Sequence, residues 1–374
     1  MSLHMQKSRT SSPLACVVKE YREKFMLTQE QLATDLSVDV RTLRRWESGE
    51  TILNDVRELR RIATLLGVAP ERLGIANVSH AALTVEQIDE TMGYIWNLID
   101  LARSYEANTL VERLVQDLNT QLTTEDPVLL RKLAETLHLA GYVKSVVTRA
   151  NEASQSLHFY QEMEQVARIL NDDTLLNIAL TYEGDMYCRS GDPQKAMTYL
   201  EAARDTTPQA DKAARGNGIQ LLGRAYLRMQ RLGDFERAMR EAEELSYLVD
   251  PRQSSTRGQY SLGTVYEEYG RSYAHLGQMQ QAMDYLALAE QHLAPTMHWQ
   301  ILIKTARAMA LVRNGEMNDG VELAIESVQL CREHGTIRLM ERIYGVQRYL
   351  DQLTREIGQV GATLRQALDG PIEY

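Results

Sequence analysis

Three arginines crowd one short stretch, Val40-Arg41-Thr42-Leu43-Arg44-Arg45-Trp46. If the stretch is helical, Arg41 and Arg45 stand four residues apart and share a face, flanked by Val40, Thr42 and Arg44. Leu43 and Trp46, three apart, mark the opposite, buried face. A guanidinium can bond bidentately to guanine O6 and N7, and an exposed valine can touch a thymine methyl. The plainer reading is a solvated arginine face. No comparable grouping points to catalysis: the sequence has no HExxH, no P-loop and no GxSxG. Its eight histidines are scattered, and His275 and His298, beside Trp299, read as structural or surface residues. No enzyme activity, cofactor or metal site is expected. Cys16, Cys188 and Cys331 have neither disulfide nor metal-ligand spacing and read as reduced thiols packed as small hydrophobes.

The elements that would position these residues are helices throughout. Ser12-Pro13 starts the first, since proline at the first helical position loses no needed donor. Thr28 with Gln31 forms a capping-box pattern for the second. Asp39 opens the third and Asn54 the fourth, which Gly67 closes; Ala69–Leu73 fits a short fifth. Residues 1–11 read as disordered and 77–84 as a linker. From residue 85 to about 368, amphipathic helices follow one another, so the fold class is all-α. No window approaches a membrane span or a signal pattern, so a cytoplasmic protein is expected. The net charge is −10, yet residues 1–76 carry +2 and the remainder −12, as a separate DNA-contacting module on an acidic body would give.

Residues 27–49, LTQEQLATDLSVDVRTLRRWESG, resemble the Cro/repressor (XRE) helix-turn-helix family, with the likeness extending over residues 12–75 through Leu59, Ile62-Ala63, Leu66-Gly67-Val68 and Leu73. The resemblance implies double-stranded DNA as partner and a third helix lying in the major groove. It places Val40, Arg41 and Arg45 at base-contacting positions, with Thr42 and Arg44 as further recognition-helix residues. Gln29 and Thr51 fall at phosphate-contacting positions, and Arg22 and Glu47 where the family has an internal ion pair. Ser37 and Met26 occupy positions usually held by glycine, so both turns are expected to take φ values uncomfortable for these residues.

The rest of the chain repeats itself. From Gly184, the ruler reads Tyr187, Gly191, Ala196, Leu200, Ala203 and Pro208; from Gly270, it reads Tyr273, Gly277, Ala282, Leu286, Ala289 and Pro295. From Gly223 the later positions read as slipped by three, and copies around Ala308 and Gly141 are looser. This pattern resembles the tetratricopeptide repeat (TPR), with residues 336–368 as a terminal cap. The register implies an inner wall holding Asn217, Gln220, Arg224 and Arg228, then Glu267, Arg271 and His275, then Thr305 and Arg313, with Thr181, Asp185 and Arg189 in the first repeat. Amides and guanidiniums on such a wall would suit an extended peptide carrying a carboxylate; the bland alternative is a set of solvated polar residues.

A helix-turn-helix followed by such repeats is similar in architecture to the peptide-sensing RRNPP regulators of Gram-positive bacteria. That resemblance implies a homodimer whose repeats, spanning 85–374, bind a short peptide effector that alters DNA binding. The alternative is an interaction scaffold whose repeats hold a partner protein, the helix-turn-helix serving as a tether.

Overall fold

The computed structural model describes residues 12–51, 53, 55–75, 82–122, 126–149, 152–250, 254–256, 259–334 and 337–368. The expectations for residues 1–11, for Asn54 and for 77–81 of the linker fall outside these. Among the described residues there are seventeen α-helices, a 3-10 turn and no strand. The chain forms two compact units: one takes residues up to Asn97 together with Tyr105–Leu129, the other Leu98–Ser104 and everything from Leu130 onward.

The first unit begins with α1 (Pro13–Lys24), α2 (Gln29–Asp35), α3 (Val40–Glu47) and α4 (Val56–Leu65), then a 3-10 turn, Pro70–Leu73. Capping dictates the starts. The Ser12 side chain accepts from the Ala15 N–H, Thr28 and Gln31 form a reciprocal box, and Asp39 accepts from Thr42. Asp55 is the N-cap of α4, its side chain accepting from the Arg57 and Glu58 N–H groups. Leu32, Leu36, Leu43, Trp46, Ile62 and Leu66 form the centre of its core. Met26 (φ 52°) and Ser37 (φ 53°) are both left-handed, as the sequence requires. Cys16 is exposed rather than packed, whereas Cys188 and Cys331 are buried.

Helices α5 (Val85–Asp100) and α6 (Ser104–Gln121) follow. The Tyr21 hydroxyl donates to the buried Glu106 carboxylate at 3.4 Å, and Gly67 lies so close to Thr109 and Leu110 that a Cβ would meet each at 3.2 Å. Helix α6 thus packs against the N-terminal helices within the first compact unit.

In the second unit, paired helices repeat: α7 (Pro127–Val147) with α8 (Ser154–Leu170), α9 (Asp173–Ser190) with α10 (Pro193–Thr206), and α11 (Lys212–Arg228) with α12 (Leu232–Ser246). Next come α13 (Leu262–Leu276) with α14 (Met279–His292), α15 (Met297–Arg313) with α16 (Met317–His334), and finally α17 (Ile337–Leu368). The glycines set the pairing distance. A Cβ on Gly184 would stand 2.6 Å from Leu200 Cγ, and one on Gly270 would stand 2.6 Å from Leu286 Cγ. On Gly223 it would meet Met239 at 3.2 Å. All three partners stand sixteen residues on from their glycine, so the repeat from Gly223 is in register and the three-residue slip is not there. The turn position seven residues after the reference is left-handed in four repeats: Gly191 (φ 91°), Gln230 (φ 59°), Gly277 (φ 75°) and Gly315 (φ 93°). Gln230, without glycine's freedom, concealed the register. The fold is an all-α TPR-like solenoid behind a helix-turn-helix module.

Candidate DNA-reading face and repeat groove

The DNA-reading candidate is assembled around Glu47. Arg22 Nε donates to Glu47 Oε1 at 2.6 Å, and Gln29 Nε2 donates to Oε2 at 2.6 Å. One carboxylate therefore ties α1, the start of α2 and the end of α3 together. Its hydrogen bond and charge hold the Arg22 guanidinium above its ordinary pKa. Gln29 Oε1 in turn accepts from Arg44 Nε at 2.9 Å, and Arg44 also faces Glu30 at 3.5 Å. With Leu43 and Trp46 buried beneath, α3 has a fixed rotation about its axis.

On its outer face, Arg41 and Arg45 are exposed and make no ion pair among the described residues. Thr51 is exposed, its N–H donating to the Arg45 carbonyl at 3.3 Å. The other expected residues of α3 have neighbours within the domain. Val40 is half-buried against the core rather than freely exposed. The Thr42 hydroxyl donates to Asp39 at 2.7 Å and so belongs to the helix cap. Arg44 turns back onto α2 instead of continuing the Arg41–Arg45 face.

The repeat groove lies within the second unit. Arg189, Arg224, Arg228, Arg271 and His275 line one cavity of about 370 Å³ together with Arg342 and Arg348 of α17. A smaller one, about 70 Å³, is lined by Asn217, Gln220, Arg224, Asp185, Glu267 and their neighbours. Of the expected wall residues, Arg313 lines neither: its guanidinium stacks 4.4 Å over the Tyr349 ring. Thr181 is fully buried and pressed on by Gly218, where a Cβ would come within 2.8 Å, so it belongs to the α9–α11 packing.

Most wall charges are paired. Arg224 donates to Asp185 at 2.8 Å and to Glu268 at 2.6 Å; Arg271 pairs with Glu268 and approaches Glu267 at 3.7 Å; Arg342 donates to Glu267 at 2.8 Å. Burial alone would raise the Glu268 carboxyl, but Arg224 and Arg271 overcome it and hold it far below the usual range. Arg228 caps the Cys188 carbonyl and Arg189 the Ser145 carbonyl. His275 has an exposed surface, yet protein crowds its imidazole enough for burial to disfavour the charged form. That setting, with the fields of Arg271, Arg313, Arg228 and Arg342, holds its imidazole well below its ordinary pKa. Asn217 Nδ2 and Gln220 Oε1 are buried without a hydrogen-bond partner among the described residues. Glu268, Arg342 and Arg348 were missed by sequence reasoning. Glu268 lies off the wall positions of the ruler, and α17 lies outside the ruler altogether.

The fold and both sites define an all-α chain with an N-terminal helix-turn-helix and a TPR-like array. Residues 18–73 match the helix-turn-helix family model. No curated protein matches the chain in sequence. Among solved structures, the chain is similar to a Rap protein complexed with competence and sporulation factor. The identity is 12% and the TM-score 0.51, covering 95% of this chain and 99% of that one. It is also similar to apo RapI (11% identity, TM-score 0.49, 84% and 97% covered). A third is PlcR of Bacillus thuringiensis in complex with a peptide and DNA (14%, TM-score 0.38, 75% and 96% covered). Among the described residues, no helix is long and apolar enough to cross a membrane.

Proposed function

We propose that this protein is a sequence-specific DNA-binding transcriptional regulator, not an enzyme, whose repeat groove takes a short peptide that modulates DNA binding. The observation that carries the DNA half is the pair of exposed arginines, Arg41 and Arg45, on a helix locked in rotation by the Arg22–Glu47–Gln29 bonds. A helix held in one rotation presents both guanidiniums from a fixed backbone, which lowers the ordering cost of reaching guanine edges. In this reading, Arg41 and Arg45 read bases, Val40 borders them, and Gln29 and Thr51 face the phosphates. One such module covers a single half-site, so two copies acting on half-sites about 34 Å apart are part of the proposal.

The sensor half rests on the unpartnered amide atoms of Asn217 and Gln220, which are suited to a peptide backbone. Beside them, Arg228 and Arg348 face the larger cavity with no carboxylate partner among the described residues, suiting an anionic group. A Rap protein of similar fold is complexed with competence and sporulation factor. The test is selection of operator sequences from random DNA by the full chain, repeated with and without a short peptide library. Enrichment of a two-half-site sequence that peptide alters supports the proposal. Failure to enrich any sequence would overturn the DNA half. Enrichment that no peptide alters, with a partner protein occupying the groove, would favour the scaffold reading.

A further inference from the structure

The polar lining of the larger cavity in the repeat groove is almost entirely donors. Arg189, Arg224, Arg228, Arg271, Arg342 and Arg348 line it, and Glu341 is its one lining carboxylate. A guanidinium donates and never accepts. The His275 imidazole, uncharged near neutral pH, offers one ring N–H. The Thr305 hydroxyl already donates to the Ile301 carbonyl. The rest of the lining is apolar, chiefly Leu302, Ala306 and Met309 of α15.

Charge is unbalanced in the same place. Asp185, Glu267 and Glu268 hold Arg224, Arg271 and Arg342. With Glu341 that makes four carboxylates against six arginines, an excess of two positive charges in a chain of net charge −10. The two arginines outside these pairs that stand most open are Arg228 of α11 and Arg348 of α17. Both are exposed, and neither has a carboxylate partner among the described residues.

Taking the groove as an effector site, as proposed above, we infer that this cavity binds a phosphate monoester with a compact apolar ester group, a second class of effector that competes there with the peptide. A single carboxylate would neutralise only one of the two excess charges. A phosphate monoester carries about −1.5 to −2 near neutral pH, with three acceptor oxygens. Those oxygens point in different directions, so one phosphate can accept from guanidiniums that arrive on α11 and α17 together. A carboxylate's two oxygens lie in one plane with its carbon. The donor-only lining selects the same ligand. A peptide brings N–H groups that need acceptors, whereas a phosphate dianion brings acceptors alone. The amides of Asn217 and Gln220, which suit a peptide backbone, line the smaller cavity and not this one. Arg224 and Arg342 line both, so the two cavities adjoin. A peptide lying along the amides and reaching Arg228 with its carboxylate would therefore meet the phosphate there.

The test is calorimetric titration of the full chain, without DNA, using phenyl phosphate and benzoate as probes at physiological salt and about pH 7.5, where the ester is a dianion. Phenyl phosphate should bind on the order of tenfold more tightly than benzoate. Arg228→Ala and Arg348→Ala should each weaken phenyl phosphate on the order of tenfold with unchanged circular dichroism spectra, both side chains being exposed. Equal affinity for the two probes, or phenyl phosphate binding indifferent to both substitutions, overturns the inference. A short peptide that binds the groove should be displaced by phenyl phosphate. A groove that takes peptide but not phenyl phosphate overturns the inference and leaves the peptide reading standing; one that takes phenyl phosphate but no peptide overturns the peptide reading alone.

Discussion

Arg41 and Arg45 illustrate how a residue's role depends on what its neighbours leave undone. Of the three arginines on α3, Arg44 is engaged by Gln29 and Glu30, and the guanidiniums of the other two have no ion-pair partner among the described residues. Arg41→Ala and Arg45→Ala should each cost about 1–3 kcal/mol on the preferred operator and relax its sequence preference. Gln29→Ala should instead weaken specific and random DNA alike. Fluorescence anisotropy on both DNAs checks this, and equal losses for all three variants would remove the base-reading assignment. Two buried glutamates make opposite demands on pH. Glu183 is buried, and burial, then the nearby Glu164 carboxylate, push its pKa up to about 8 against the opposing Arg168 and Lys195. A raised native pKa means the folded state holds the extra proton. Its contribution is therefore full below the unfolded value of about 4.5 and is lost as pH rises towards 8. Glu268 is lowered by its arginines, so its contribution is present above about 4.5 and lost as pH falls. Thermal denaturation should show Glu183→Gln flattening the decline between about pH 5 and 8. Glu268→Gln should cost about 3–5 kcal/mol at neutral pH, because Arg224 and Arg271 lose their shared carboxylate.

At the scale of the element, helix starts were plain in the sequence because capping is local chemistry. Ser12, Thr28 and Asp39 each accept the bond their spacing implies. The repeat register was plain wherever glycine held the left-handed turn, and obscured at Gln230, where a costlier residue holds the same conformation. That difference gives a paired prediction. Gln230→Gly should stabilise the chain by about 0.5–1 kcal/mol, by removing a side chain from positive φ. Gly270→Ala should destabilise it by about 1–3 kcal/mol, since its Cβ would come within 2.6 Å of Leu286 Cγ and 3.1 Å of Leu286 N. Chemical denaturation of the two variants measures both, and a harmless Gly270→Ala would mean that glycine does not set the pairing distance. What the sequence hid were long-range choices. Glu106 meeting Tyr21, Glu267 meeting Arg342 and Arg44 turning back to Gln29 join residues 85, 75 and 15 positions apart. No local period announces such partners.

For the whole molecule, the question is whether groove and helix-turn-helix form one device or two functions sharing a chain. Energetic linkage decides it without any knowledge of the path between them. If peptide changes the affinity for operator DNA by some factor, operator must change the affinity for peptide by the same factor. A factor of about 5–150, or 1–3 kcal/mol, is the usual range. The groove offers a way to be sure the peptide is read at the wall. A peptide with a free C-terminal carboxylate should bind more tightly than its amide, by the 1.5–3 kcal/mol of a charge-assisted hydrogen bond. Arg228→Ala should erase that difference, since Arg228 lines the cavity with no carboxylate partner among the described residues. Calorimetric titration of the peptide, alone and with saturating operator, then gives both quantities from one preparation. Reciprocal factors that vanish in Arg228→Ala would identify the wall as the effector site of a regulator. Tight peptide binding with a factor of one in both directions would instead describe a scaffold, in which the DNA module only sets where the groove is held.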